Sequence, residues 1–370
     1  MVASPTLSNR QLNRALLARQ MLLSREKTTA LAAVERLAGL QAQIARPPFV
    51  GLWTRLEGFR RGDLLSLLHE RRVARSTMMR GTLHVMTAAD TVELRGALQP
   101  MLTRGAQSIL GDRTEGFDRD ALVEEARAFF GTPATFDALR KHLKAKYPEG
   151  DERAMAYTVR THLPLVQVPT GDPWGFPASA DFALAEPWLG TKISVEPAPA
   201  HDLVRRYLAA FGPATPGDAQ AWSGLSGLRE VFEALRPTLV TFRDARKREL
   251  FDLPDAPRPE EDTPAPVRFL PEFDNLVLSH DDRTRVMADE HRSRVVLKNL
   301  QVRATFLVDG VVAGTWKTER KKKTAALIVE PFGAVARKTA AELEREGDAL
   351  LRFVEEDAEA REIRWLSVNG

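Results

Sequence analysis

The chain predicts an α+β fold, with three tandem winged-helix units followed by a small C-terminal β-barrel. Three observations predict it. Near the N-terminus, three helical stretches give way to a hairpin pattern. An outline of helix, helix and strand then returns twice: the Gly/Pro-rich starts Phe130-Gly-Thr-Pro-Ala-Thr135 and Phe211-Gly-Pro-Ala-Thr215 place Ala134 and Ala214 80 residues apart. Beyond residue 266 the dominant period changes from helical to alternating.

The elements follow in order. Asn9–Leu23 carries Leu12, Ala15, Leu16 and Met21 at helical spacing. Thr28–Ile44 does the same with Leu31, Val34, Leu37, Leu40 and Ile44, and Pro47 and Pro48 are expected to stop it. Gly62–Glu70 reads as a third helix. Val73–Met79 and Thr82–Met86 then alternate around a turn at Arg80-Gly81, which suits a wing. In the second unit, Thr135 caps Phe136–Lys146, Asp151–His162 follows, and Leu165–Val168 is strand-like with a turn at Gly171–Gly175. In the third, Pro216–Ser223, Leu225–Leu235 and Thr238–Phe242 repeat the order. Residues 254–266 hold five prolines and four acids and read as a solvated linker. Val267–Leu270, Asn275–Ser279, Gln301–Val308, Val311–Lys317 and Thr324–Val329 are expected strands, with Asp309-Gly310 as a hairpin turn. Ala334–Glu346 is an expected helix and Glu362–Ser367 a closing strand. The expected divisions are 1–110, 111–196, 197–253, the linker 254–266, and 267–370.

Composition narrows the function. The 370 residues are 44% hydrophobic and 28% charged, a globular balance with ample material for cores. There is no cysteine, so disulfides, thiolate metal sites and cysteine nucleophiles are excluded. No apolar signal core or membrane-length apolar run is present, and a cytoplasmic location without a membrane partner is expected. No HExxH pattern, phosphate loop, GxGxxG or GxSxG occurs, so neither metal, nucleotide cofactor nor serine-elbow chemistry is expected.

The net charge of +3 permits nucleic acid without arguing for it. Positive charge gathers in three places: Arg71, Arg72, Arg75 and Arg80 along the first wing; Arg243, Arg246, Lys247 and Arg248; and Lys317, Arg320, Lys321, Lys322 and Lys323. Such clusters bind phosphates or simply face solvent, and their hairpin positions favour DNA. Gln41-Ala42-Gln43 falls at the end of the second expected helix, where residues two apart do not share a face. On spacing alone both glutamines read as surface polars, able to share a cleft only if the helix frays. Leu270–Arg283 packs Asp274, His280, Asp282 and Arg283 together, as a turn cap with an exposed ion pair or as part of a site.

Four segments in order, Leu40–Gln43, Met79–His84, Leu270–Arg283 and Val311–Trp316, together resemble the AlkZ-type winged-helix DNA glycosylases. The resemblance spans nearly the whole chain. It implies three winged helices in a curved scaffold with a β-barrel, and a Gln–apolar–Gln catalytic motif that maps onto Gln41 and Gln43. It implies double-stranded DNA carrying N7-alkylated guanine, bulky adducts or interstrand crosslinks as the partner. Arg80, His84, Asp274, His280, Asp282 and Arg283 become expected site-lining residues.

Glutamine has no titratable group near neutral pH and cannot be a general base. An N7-alkylated guanine is cationic and departs neutral, so placing a water and steadying an oxocarbenium-like centre suffices. Nothing points to a covalent lysine intermediate, so a monofunctional, metal-free enzyme leaving an abasic site is expected. Dimerisation heptads are absent, and a monomer is expected. A non-catalytic DNA-binding regulator stands as the alternative; sequence-independent binding with damage-dependent base release separates the two.

Overall fold

The computed structural model describes residues 4–367. Its elements repeat one order three times: a helix, a short extended segment, two helices, then two strands. After α1 (Asn9–Arg19), the first pass is α2 (Ala30–Arg36), β1 (Leu40–Gln41), α3 (Pro47–Trp53), α4 (Arg61–His69), β2 (Val73–Thr77) and β3 (Leu83–Thr87). A long helix, α5 (Ala88–Leu110), leads to the second: α6 (Arg119–Phe129), α7 (Phe136–Lys146), α8 (Glu152–His162), β4 (Leu165–Gln167) and β5 (Phe182–Leu184). After the short α9 (Ala185–Leu189) comes the third: α10 (His201–Phe211), α11 (Pro216–Ser223), α12 (Leu228–Leu235), β6 (Val240–Arg243) and β7 (Glu249–Asp252).

The short extended segment pairs antiparallel with the last strand of its own pass each time. Leu40 pairs with Val85, Ala134 with Phe182, and Ala214 with Phe251. The two alanines 80 residues apart therefore occupy the same place in their units. Thr135 and Thr215 cap α7 and α11 as expected, each accepting a backbone N–H.

The first two passes share a five-stranded sheet, β1-β3-β2-β4-β5, joined where Ser76 meets Val166. The third keeps its own two-stranded sheet, β6-β7. The C-terminal part is β8 (Arg268–Leu270), α13 (Asn275–Leu278), α14 (Arg292–Val295), β9 (Thr305–Val308), β10 (Val311–Lys321), β11 (Thr324–Pro331), α15 (Arg337–Val354) and β12 (Ala360–Trp365).

The expected barrel is not closed. The strands form an open sheet in the order β12-β11-β10-β9-β8, whose two end strands do not pair. β12 runs parallel to β11 after the α15 crossover. The sheet buries Phe269, Phe306, Trp316 and Leu327 against Leu343, Leu350 and Leu351, so one helix covers the face that a barrel would have enclosed.

Four other expectations change. The helix expected over Thr28–Ile44 ends at Arg36; Ala38 and Gly39 turn left-handed, at φ 52° and 86°, and the chain becomes strand at Leu40. At Gly39 a Cβ would lie 2.7 Å from the Met86 side chain, so this corner needs glycine. Pro47 and Pro48 open α3 rather than merely stopping its predecessor, which suits residues lacking an N–H in a first turn. Asn275–Ser279 is helical where a strand was expected: Asp274 accepts from the Leu276 N–H at 2.9 Å and caps a single turn. The proline-rich segment is a strap lying on α1, where Arg14 Nε donates to the Thr263 carbonyl at 2.7 Å and Arg10 Nε to that of Glu261 at 2.7 Å.

Candidate active site

β1 places Gln41, and Gln43 stands in the bend that follows it. In a strand, residues two apart share a face and the one between points the other way. Gln41 pairs with His84, and the Ala42 N–H donates to the Leu83 carbonyl at 2.7 Å, extending the ladder by one residue. Ala42 enters the core, 0% exposed, which explains the apolar middle position. Gln41, nearly buried at 7%, and Gln43, exposed, then open on one cleft of about 540 Å3. Gly81 and Thr82 line it on one side, Glu272 and Phe273 on another, and the turn Asn299–Arg303 on a third. Two apolar side chains stand at its rim, Ile44 at 49% and Leu300 at 80% exposure.

Three contacts hold this strand. Arg75, buried on β2, donates from Nε to the Ala42 carbonyl at 2.8 Å and from Nη2 to that of Gln43 at 3.2 Å. Asn275 Nδ2 donates to the carbonyls of Leu37 at 3.2 Å and Gly39 at 2.6 Å, bracing the corner that turns helix into strand. Arg80 Nη2 donates to Gln41 Oε1 at 2.7 Å, while its Nη1 donates to the Trp222 carbonyl. Gln43 is freer: its Oε1 accepts only a long contact from the Leu83 N–H at 3.4 Å.

Burial sets the electrostatics. It lowers the Arg80 guanidinium to about 10, with help from the neighbouring charge of Arg283, leaving it cationic near neutrality. His84 falls to about 3 through burial and the Arg80 charge, with the Thr82 carbonyl opposing, so it is neutral. Its Nδ1 faces that carbonyl at 3.0 Å and carries the proton; Nε2 is a buried acceptor without a partner.

The other expected lining residues separate. Asp274 is fully buried in a two-point pair with Arg55, at 2.8 Å to each carboxylate oxygen. It holds the loop behind the cleft instead of lining it. His280 bridges the Ser279 hydroxyl at 2.9 Å and the Phe211 carbonyl at 3.2 Å; burial and Arg285 lower it to about 3. For Asp282, burial disfavours the charge, but hydrogen bonds from Thr284 and the charges of Arg248 and Arg246 outweigh it and bring the carboxyl to about 2. Arg283 is half-buried, lowered by burial and by Arg292, and its Nη1 lacks a partner.

Of the expected DNA-binding cations, Arg75 is buried at 5% exposure beneath the glutamine segment, its edge reaching a second cleft that Gln43 and Phe176 also line. Arg71 lies over the Trp188 ring at 4.2 Å, and Arg72 is exposed. Lys317 pairs with Glu319, Arg320 with Glu355 and Asp357, and Lys323 with Glu359, so half-neutralised charge remains there; Lys321 and Lys322 stand exposed. Arg246 and Arg248 both pair with Asp282. Arg243 and Lys247 are exposed.

Sequence reading missed Glu272, Asn275, Arg55 and the turn Asn299–Arg303. Glu272 and Asn275 sit inside the Leu270–Arg283 segment it had singled out. The turn carries no signal beyond an apolar residue among polar ones.

Comparison with known proteins gives the family and the fold. A family model described as DNA glycosylase AlkZ-like matches residues 34–353. The chain is 26% identical over 359 residues to the interstrand DNA cross-link repair glycosylase of Streptomyces sahachiroi, covering 90% of this chain and 93% of that protein. The solved structure of Streptomyces sahachiroi DNA glycosylase AlkZ has the same fold, with a TM-score of 0.79 at 22% identity over 98% of this chain and 100% of that one. The class these matches define is DNA glycosylase. Within it, the chain belongs to the AlkZ-like family, as the match over 34–353 shows. Among the described residues, no helix is long and apolar enough to cross a membrane.

Proposed function

We propose that the protein is a monofunctional glycosylase that hydrolyses the N-glycosidic bond of N7-alkylated guanine in duplex DNA, bulky adducts and interstrand crosslinks included, leaving an abasic site. The observation that carries this reading is the cleft of about 540 Å3 that Gln41, at the end of the strand Leu40–Gln41, and Gln43, in the bend that follows, both line. The crosslink-repair relative supports the substrate class. In this reading the three repeated units are winged helices that cradle damaged DNA as a monomer, and the glutamines place the attacking water and steady the sugar cation. A base that already carries positive charge needs no acid to leave, which is why two uncharged amides suffice.

Purified protein, incubated without added metal with methylated duplex DNA and with crosslinked DNA, releases N7-methylguanine and unhooks the crosslink. Gln41→Ala and Gln43→Ala each lower single-turnover release by roughly 100-fold, the scale of one preorganised polar group, with DNA affinity retained. Full activity in both variants would remove the glutamines from the mechanism.

A further inference from the structure

A guanidinium has donors and no acceptor. The Gln41 amide end lying 2.7 Å from Arg80 Nη2 is therefore the oxygen, and the planar amide turns its two N–H bonds away from Arg80. Arg80 is not free to swing. Its other arm holds the carbonyl of Trp222, in α11 of the third unit, and its own backbone is left-handed at φ 56°. Gly224 passes so close that a Cβ there would lie 3.2 Å from the Arg80 Cα. A fixed cation on the oxygen side draws amide electrons toward itself and makes the N–H end more positive. Gln41 thus faces the cleft as a donor, while Gln43, exposed and weakly engaged, keeps its acceptor oxygen.

We infer that Arg80 is a positioning residue that makes Gln41 a hydrogen-bond donor to the departing base, so that the two glutamines do different jobs. This rests on the glycosylase reading above. As the C1′–N9 bond breaks, its electron pair enters the alkylated imidazole ring and cancels the positive charge. N3, the acceptor lone pair next to that bond, becomes more basic, and the Gln41 N–H meets it. The water oxygen bonds to C1′, held by Gln43 Oε1, and one water proton passes to solvent. Two amide oxygens facing the acceptor N3 of the leaving purine are thereby avoided.

The test is single-turnover release of 7-methylguanine from methylated duplex DNA by the full chain. No release by the wild-type protein would overturn the glycosylase reading, and this inference with it. Given release, Gln41→Glu, which offers the cleft only acceptors, is expected to be as slow as Gln41→Ala; a Gln41→Glu rate near wild type overturns the inference alone. Arg80→Ala is expected to lose roughly 100-fold in rate with DNA affinity within about twofold, since Arg80 acts through Gln41 and not on the DNA. Millimolar guanidinium is expected to restore Arg80→Ala but not the Arg80→Ala, Gln41→Ala double variant, which is no slower than Gln41→Ala. Losses that multiply in the double variant show Arg80 acting independently and overturn the assignment. Should Arg80→Ala not fold, the Gln41→Glu comparison decides by itself.

Discussion

Arg75 and Arg80 lie five residues apart in one hairpin and look alike in sequence, yet neither presents its charge as a surface phosphate contact. One holds the carbonyls beneath the glutamines and the other holds a glutamine amide. Arg75→Ala strands the buried Ala42 carbonyl without its donor. The expected cost is about 1–3 kcal/mol, read as a lower Tm together with reduced base release. Glu272 is the carboxylate on the cleft wall, its Oε1 accepting from Arg46 Nη2 at 3.1 Å. A negative charge there favours a cationic sugar centre, so Glu272→Gln is expected to lower the single-turnover rate without changing the Tm; an unchanged rate would take Glu272 out of the chemistry. Two buried histidines contribute to the acid side of stability. His84 and His280 each titrate near 3 when folded but near 6.5 when unfolded. The unfolded chain binds protons that the folded one refuses, so stability is full above pH 6.5 and falls as pH drops toward 3. Thermal melts at pH 7.5 and 5.0 check this, and His280→Gln is expected to flatten the slope.

At the scale of elements, the corner between α2 and β1 decides whether the glutamines share a face. Apolar residues at Leu37, Leu40 and Ile44 have helical spacing, and nothing local to them announces a strand. Two left-handed residues break the helix, and a donor from more than two hundred positions away, Asn275, braces the break. That is why a shared cleft for the two glutamines was not legible in the spacing: the period argued against it, and tertiary contact overrode it. Asn275→Ala is expected to lower kcat for base release more than DNA affinity, because the strand loses its brace while the DNA-facing surface is untouched; equal losses in both would make the brace a general structural contact. The helix starts at Thr135 and Thr215 and the Asp309-Gly310 hairpin were readable because capping and turn chemistry are local. The closing of a barrel was not, since edge pairing depends on where α15 packs. In the hairpin turn at Lys321–Lys323, the exposed Lys321 and Lys322 have the unmatched charge. Lys321→Glu with Lys322→Glu is expected to weaken binding to every DNA sequence and to lower the salt slope, measured by titration at several salt concentrations.

The molecule as a whole is tied by buried arginines. Arg19 grips Asp252 at 2.7 and 2.8 Å and joins α1 to β7, Arg55 grips Asp274, and Arg14 reaches the Asp309 carbonyl at 3.1 Å. The largest core mixes Leu16 and Leu17 with Tyr207, Trp222, Leu270, Leu307 and Phe332, so the N-terminal helix, the third unit and the C-terminal sheet share one interior. Breaking such a pair strands a buried charge. Asp274→Ala is expected to cost about 3–5 kcal/mol and to lower the Tm by several degrees in a thermal melt, whereas Asp120→Ala, on the exposed partner of Arg119, is expected to leave the Tm unchanged.

The Asn275 brace has a consequence in time. A ribosome has made Gln41 and Gln43 long before it makes the residue that fixes their strand, and Asn13 must wait still longer for the Gly310 carbonyl it holds at 2.8 Å. A nascent or truncated chain that stops within the strap thus carries both glutamines with their corner unbraced. Contacts so distant along the chain close slowly. In the proposed mechanism, competence to cut a glycosidic bond is therefore gained late in synthesis, after both glutamines have already left the ribosome.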